Sequence, residues 1–124
     1  MSVTVSIPTV GGMPVEDANP LPVLPARVAN VVTGALTSGG LTGDAFIPLA
    51  PDFNISIWGN WTGSIALERS LDGGATWLPY TYSDGTAVAW SLNISTSWAE
   101  PEAAIRYRLR AGNITGTANW RLSQ

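Results

Sequence analysis

Alternation of apolar and polar side chains is clearest over residues 104–110, which read Ala-Ile-Arg-Tyr-Arg-Leu-Arg. In an extended strand, Ile105, Tyr107 and Leu109 would lie on one face and the arginines between them on the other. Residues 53–58 alternate in the same way, with Phe, Ile and Ile at every second position. Both runs predict a β-strand that packs one face against a hydrophobic core.

Further short runs along the chain predict more strands, and turn residues separate them. These strands are expected at residues 45–49, 64–69, 77–80, 87–94 and 117–122. Within 87–94, four apolar residues are expected to share one face: Val88, Trp90, Leu92 and Ile94. Residues 97–103 are predicted to form a loop. Strands spaced about 8–12 residues apart indicate an all-β protein, an antiparallel β-sandwich of the jelly-roll or immunoglobulin-like type.

The stretch after the run 64–69 reads Ser70-Leu-Asp-Gly-Gly-Ala-Thr-Trp77 and predicts a β-hairpin. Gly73 and Gly74 can adopt a positive φ there, and Asp72 can accept hydrogen bonds from the N–H groups of its own turn. Trp77 can then fold over the hairpin as an apolar cover. The residues expected to build this structural turn are Ser70, Asp72, Gly74, Thr76 and Trp77.

The spacing Ser-x-Asp-x-Gly-x-Thr-Trp resembles the Asp-box, a hairpin motif best known from sialidase propellers. The resemblance implies a local turn geometry, and the same turn occurs on several unrelated folds. A propeller needs about four or more blades of repeated sequence, whereas this chain has 124 residues and one copy of the motif. A sialidase is therefore excluded.

Residues 1–43 differ from the rest because prolines and glycines interrupt the apolar runs. Residues 3–7 and 28–32 can each form a short strand, and residues 19–25 are expected to be extended, close to polyproline II. The chain is thus predicted to consist of an extended proline-rich N-terminal arm, 1–43, and a β-sandwich domain, 44–124. An apolar arm suits a segment that lies across a partner, and a loose terminus is the alternative. The candidate interface residues in the arm are Pro20, Pro22 and Pro25.

The composition removes several kinds of chemistry. The chain has no His, no Cys and no Lys, so it lacks the commonest general base, the thiol nucleophile, the Schiff-base amine and the usual zinc ligands. Its carboxylates are numerous enough for a glycosidase pair, but no spacing singles out two of them. We therefore expect no catalytic residue, no cofactor and no metal.

Charge and hydropathy argue against nucleic acid and membranes as partners. Only 12% of the residues are charged and the net charge is −3, without a basic cluster, so nucleic acid is not an expected partner. No signal peptide and no apolar stretch of roughly 18–20 residues is evident, so no membrane association is expected. The low charge and the six tryptophans favour a surface that is partly covered by other subunits.

Two sets of side chains are candidates for contact with a partner. The first is the outward row Arg106, Arg108 and Arg110, which can bind an acidic partner or can pair across the sheet with Glu68, Glu100 or Glu102. The second is the set of tryptophans expected in turns and loops: Trp58, Trp61 and Trp98. They can form a subunit interface, which the pattern favours, or a platform on which sugars stack. Trp77, Trp90 and Trp120 lie in predicted strands and are expected in the core.

Several segments together resemble small virion proteins of tailed bacteriophages. They are residues 59–70, Asp72 to Trp77, Glu102 with Tyr107-Arg-Leu-Arg110, Thr115-Gly-Thr117 and the closing Arg121-Leu-Ser-Gln124. The resemblance implies a small β-sandwich displayed on the particle, with capsid decoration (cement) as its role. It implies the major capsid protein and further copies of the chain, in a homotrimer or homodimer, as partners, and synthesis in the bacterial host cytoplasm before incorporation into the virion. The alternative is a carbohydrate- or receptor-binding module on a head fibre, neck or tail.

Overall fold

The computed structural model describes residues 29–124, and the regular structure in that range is antiparallel β-sheet. The strands are β1 Val31–Leu36, β2 Asp52–Thr62, β3 Ile65–Ser70, β4 Leu78–Pro79, β5 Ala89–Trp90, β6 Ile94–Ala99, β7 Arg106–Ala111 and β8 Thr115–Ser123. The predicted all-β, antiparallel class is therefore confirmed for these residues. Residues 29–124 contain no helix long and apolar enough to span a membrane.

The first sheet has the strand order β1-β8-β2-β6. Its central pair is β8 with β2, which runs from Asn54 opposite Ser123 to Thr62 opposite Thr115. On the other side of β8, β1 pairs along its whole length. Every second residue of β2 and β8 is apolar, so one face of this sheet is buried and the other carries mainly Ser, Thr and Asn.

The second sheet is built around β3. Strand β7 pairs with one side of β3, and β4 and β5 pair with two parts of its other side, so that they act as one interrupted strand. Residues 81–87 leave this strand as a small hairpin, closed by a bridge between Thr81 and Ala87. Along the free side of β7, residues 40–46 run antiparallel, and the Phe46 N–H donates to the Tyr107 carbonyl at 2.7 Å.

Side chains from both sheets meet in one core. The ring centroids of Phe53 on β2 and Tyr107 on β7 lie 4.9 Å apart, and Phe46 lies 5.3 Å from Phe53. The apolar residues at alternate positions of the runs 53–58, 64–69 and 104–110 are buried, as expected for strands with one face in the core. They are Phe53, Ile55, Ile57, Ile65, Leu67, Ile105, Tyr107 and Leu109.

The boundary drawn at residue 43 between arm and sheet domain is too late. Strand β1 lies within the range assigned to the arm, yet it pairs with β8 from Val31 opposite Ser123 to Leu36 opposite Ala118. Its sequence, Val-Val-Thr-Gly-Ala-Leu, is uncharged and interrupted by Gly34, so it does not show the alternation of a half-buried strand. The predicted strand 3–7 and the candidate interface residues Pro20, Pro22 and Pro25 lie outside the described residues.

The predicted strand 87–94 and loop 97–103 are also wrong in part. Strand β5 ends at Trp90, the chain crosses to the first sheet, and β6 runs through Trp98 and Ala99. Leu92 lies in the crossing and is 76% exposed, whereas Val88 is buried as expected. Strand β6 was missed because it lies at a sheet edge, where Ser and Thr occupy positions on both faces and leave no apolar contrast. The run 45–49 contributes a single bridge, at Phe46.

Candidate functional site

The predicted turn between β3 and β4 has its polar side chains bonded within the turn. The Asp72 carboxylate accepts from the Thr76 N–H and from the Ser70 hydroxyl, each at 2.8 Å, and the Ser70 Oγ accepts from the Gly74 N–H at 2.8 Å. Gly73 and Gly74 have φ of 77° and 97°, as expected. The Thr76 N–H, followed by the Ser70 hydroxyl, lowers the pKa of Asp72 to about 2. The bonds of this turn therefore maintain its shape.

The arginine row lies on the outer face of the second sheet. Arg108 Nε donates to Glu68 Oε1 at 2.7 Å, and the Arg108 guanidinium lies 4.4 Å from the centroid of the Trp77 ring. Cross-strand pairing with an acidic residue is therefore confirmed for Arg108. Arg106 and Arg110 form no ion pair within residues 29–124, so the row has a neutralised centre and two cationic ends.

The three candidate tryptophans do not lie on a common surface. Trp58 and Trp61 both belong to β2, which continues through Gly59 instead of turning there. They are separated by an odd number of positions and point to opposite faces. Trp58 lies on the outer face and is 46% exposed, whereas Trp61 packs against the core. The Trp61 indole N–H donates to Asn93 Oδ1 at 2.8 Å, which fixes the ring.

Trp98 also packs inward, at the edge of the core. It is opposite Phe53 on β2 and makes edge-on contacts with Tyr80, at 5.2 Å, and with Trp90, at 6.2 Å between ring centroids. Trp120 is 2% exposed and Trp90 packs against the core, as predicted. Trp77, predicted in the core, is half-buried on the outer face over Arg108. A platform of Trp58, Trp61 and Trp98 is thus not formed.

A buried ionic cluster around Glu100 was not predicted. Glu100 is 6% exposed, and its carboxylate accepts from the Tyr107 hydroxyl at 2.6 Å, from the Glu102 N–H at 3.1 Å and from the Arg69 guanidinium. Arg69 also lies over the Tyr80 ring, at 5.3 Å. Both Glu100 oxygens are therefore occupied by donors of the chain itself. No local sequence pattern indicated the cluster, and Glu100 was expected opposite the outward arginine row instead of beside Arg69.

The cluster shifts the ionisation of its members. Burial raises the pKa of Glu100, but the Tyr107 hydroxyl, the Glu102 N–H and Arg69 outweigh it and hold that pKa below its usual range. Burial, and next the bond to Glu100, raises the pKa of the Tyr107 hydroxyl, which stays protonated. For Arg69, burial lowers the pKa, and the bonds to Glu100 and Tyr107 raise it by more. The three groups form a charged, hydrogen-bonded link between loop 100–104 and the second sheet.

Two open clefts lie beside this cluster. One, of about 190 Å³, is lined by residues 48–51 and 100–104, and Glu100 is its buried acid. The other, of about 310 Å³, is lined by Arg69 and residues 78–81. In the described part of the chain, no group of three or more acidic side chains could hold a metal ion.

Among residues 29–124, two surfaces are suited to contact with a partner: the outer face of the first sheet, with Trp58, and the edge of that sheet at β6. Strand β6 pairs with β2 alone among residues 29–124. Comparison with known proteins adds no guide to their use, because no protein-family model, curated protein or solved structure matches the chain significantly.

Proposed function

We propose that the chain is a non-enzymatic structural protein of a tailed-phage virion. Its role is that of a decoration protein, which binds the shell of major capsid protein and stabilises it. The segments that resemble phage virion proteins include β3 and β7, the two paired strands at the centre of the second sheet. Charged side chains of these strands are used in ion pairs: Glu68 pairs with Arg108, and Arg69 pairs with Glu100 of the loop before β7. These pairs stabilise the fold, which supports a structural role.

We further propose that the two sheets are a β-sandwich with jelly-roll topology. The observation behind this is the strand order, β1-β8-β2-β6 in one sheet and residues 40–46, β7, β3 and the interrupted β4/β5 strand in the other. After β1, successive strands belong alternately to the second and the first sheet, except that β4 and β5 follow β3 within the second sheet. Two linked Greek keys have this order of strands. Viral capsid and lectin domains both use this architecture, so the support is an analogy of fold.

A decoration role has a simple physical basis. A shell under internal DNA pressure is stabilised by a clamp that crosses the joints between its subunits. An extended arm can add main-chain hydrogen bonds to such a joint by strand addition, and we assign this part of the proposed role to the proline-rich residues 1–28. Copies joined in an oligomer bind multivalently, so weak single contacts become effectively permanent. On this proposal the protein is made in the host cytoplasm and resides on the capsid surface.

Co-sedimentation with undecorated capsids of the parent phage tests this role. We expect the full chain to bind saturably and residues 29–124 to bind at least about tenfold more weakly, because the anchoring arm is missing. The truncation stops before β1, so every described strand pair is retained. A truncation at residue 44 would delete β1 and is not a fair comparison.

Thermal melting provides the control for this comparison. The melting temperatures of the two chains should agree within a few degrees, because the described core is common to both. Failure of both chains to sediment with capsids contradicts the decoration role. Equal binding by both contradicts the anchoring role of residues 1–28.

The second candidate function is carbohydrate binding on the outer face of the first sheet, on a head fibre, neck or tail. One observation favours it: Trp58 presents an exposed ring directly opposite Asn119 on β8, and Ser56 and Arg121 form the next outward pair. An exposed ring can stack on a sugar face, and amide, hydroxyl and guanidinium groups can hydrogen-bond sugar hydroxyls.

A glycan array tests the carbohydrate alternative. The full chain should bind a defined set of glycans, and Trp58→Ala should weaken that binding by roughly two- to twelvefold, since aromatic stacking contributes roughly 0.5–1.5 kcal/mol. Tyr82→Ala is the matched control, because Tyr82 is 53% exposed on the 81–87 hairpin. No bound glycan, or equal losses in the two variants, contradicts a sugar site at Trp58.

A further inference from the structure

Strand β6 is an edge strand without the features that normally protect one. Its sequence, Ile-Ser-Thr-Ser-Trp-Ala, has no charge, no proline and no glycine over six residues. Within residues 29–124 it pairs only with β2, so its far side presents unpaired backbone N–H and C=O groups. Exposed edges of this kind are templates for pairing with another chain, and proteins usually block them with charges, prolines or bulges.

The other sheet edges of the described chain are less suited to pairing. In the second sheet, β4 and β5 have two residues each and β4 contains Pro79, while residues 40–46 make only two bridges and contain Asp44. At the far edge of the first sheet, β1 is uncharged but has Gly34 near its centre, which weakens a strand. Strand β6 is therefore the best template for strand addition.

An apolar strip accompanies the β6 edge. Ile94 and Trp98 are opposite Ile57 and Phe53 of β2, so they point to the core side, yet both are only half-buried. Trp90 contacts Trp98, and Leu92, in the crossing from β5 to β6, is 76% exposed. Apolar side chains thus flank the unpaired backbone groups. A partner that adds a strand here would bury both.

The β6 sequence is complementary to itself in an antiparallel arrangement. Side chains opposite each other in an antiparallel pair lie on the same face of the sheet. A two-fold axis through Thr96 sets Thr96 opposite its counterpart, Ser95 opposite Ser97, and Ile94 opposite Trp98. In each pair the two side chains lie on the same face of the sheet. The Ser95–Ser97 pairs lie on the outer face, and the Ile94–Trp98 pairs lie on the core side and extend the apolar core. No like charges meet, because the strand has none.

We propose that β6 pairs with β6 of a second copy of this chain, around a two-fold axis at Thr96. The two first sheets become one continuous eight-stranded sheet, and the apolar strips of the two copies cover each other. Such an interface is isologous, with the same surface contributed by both subunits. It identifies the self-contact of the proposed virion protein but does not depend on the capsid role, since it forms between copies of this chain alone.

A cysteine at the axis tests the pairing directly. The chain contains no cysteine, so Thr96→Cys introduces one thiol per chain. Opposite Cα atoms of an antiparallel pair lie about 4.5–5.5 Å apart, within the range that a disulfide spans. Under mild oxidation, we expect Thr96→Cys to form a covalent dimer that reducing agent separates. Thr33→Cys, at an exposed position on the opposite edge strand β1, should remain monomeric on the same gel.

A charge at the axis tests the energetics. Thr96→Glu sets like charges directly opposite each other and should weaken dimerisation by at least about tenfold in analytical ultracentrifugation. Thr33→Glu should leave the dissociation constant unchanged. The proposal is overturned if the purified chain is monomeric at high concentration or if Thr96→Glu dimerises normally. It is also overturned if Thr33→Cys cross-links as Thr96→Cys does, or if Thr33→Glu weakens the dimer as Thr96→Glu does. A partner other than a second copy, such as the arm, would be lost in Thr96→Glu but would not give the Thr96→Cys dimer.

These measurements use the purified protein without capsids. A monomer that still binds capsids overturns the β6 dimer and leaves the decoration role intact. A β6 dimer that fails to sediment with capsids contradicts the decoration role and leaves the β6 dimer intact.

Discussion

Gly63→Ala is expected to destabilise the protein by about 4 kcal/mol, through backbone strain and overpacking together. Gly63 connects β2 to β3 with a φ of 118°, a value that side-chain-bearing residues rarely adopt. A Cβ there would overlap the carbonyl oxygen of Asn113, in the turn that leads into β8. This neighbour is backbone, so it cannot turn aside as a flexible side chain would. Urea unfolding monitored by tryptophan fluorescence measures the loss.

Gly85→Ala is the control for Gly63→Ala. Gly85 also has a positive φ, 87°, but no atom lies within 4 Å of the position of its added Cβ. Only the strain of the left-handed backbone remains, which costs about 1 kcal/mol. Equal losses of unfolding free energy in the two variants would contradict the proposed cause, the contact between residue 63 and the Asn113 backbone.

Glu100→Ala is the second change with a large expected effect, a loss of about 3 kcal/mol. It removes the acceptor of the Tyr107 hydroxyl and the partner of Arg69, and Tyr107 is fully buried. The buried Tyr107 hydroxyl and the partly buried Arg69 guanidinium would then both lose their acceptor. Tyr107→Phe with Glu100 intact removes only one of these bonds and should cost about 1 kcal/mol. Chemical denaturation at neutral pH measures both, and similar losses would contradict a linked cluster.

The same cluster predicts a dependence of stability on pH. The pKa of Glu100 is lower in the folded state than in the unfolded chain, where it is about 4.3. The folded state therefore gains stability from the ionised carboxylate above that value and loses it as the pH falls through the lower, folded pKa. Glu100→Gln should reduce this acid dependence relative to the unmodified protein. If the free energy of unfolding of Glu100→Gln falls as steeply with pH below pH 4 as that of the unmodified protein, the role of the Glu100 carboxylate is contradicted.

The strands that the sequence predicted best are those with one face in the core. On β2 and β7, the alternation of Phe53, Ile55 and Ile57, or of Ile105, Tyr107 and Leu109, follows directly from half-burial. Strands β1 and β6 lie at the edges of the first sheet, where burial is slight and alternation correspondingly weak. Their partners are distant in sequence, so no local pattern could reveal them.

The candidate site divides in a similar way. The turn at Asp72 was predictable because its hydrogen bonds join residues close in sequence. The pair Arg108–Glu68 follows from the alternation of β7, which sets Arg108 on the outer face, and from the pairing of β7 with β3. The Glu100–Arg69 contact depends on how loop 100–104 folds back, which no pattern encodes. The spacing of Trp58 and Trp61 implies opposite faces in the continuous strand β2, but both residues were expected at a turn.

The position of β8 between β1 and β2 has a consequence for folding kinetics. The last described strand is the centre of the first sheet, so that sheet cannot form until residues from both ends of the described chain have met. Contacts between residues so far apart in sequence give a high contact order, which is typical of domains that fold in milliseconds to seconds. During synthesis, the emerging chain holds β1 and β2 without their shared neighbour. The nascent protein therefore stays incomplete, and its apolar strands stay exposed, until β8 has left the ribosome.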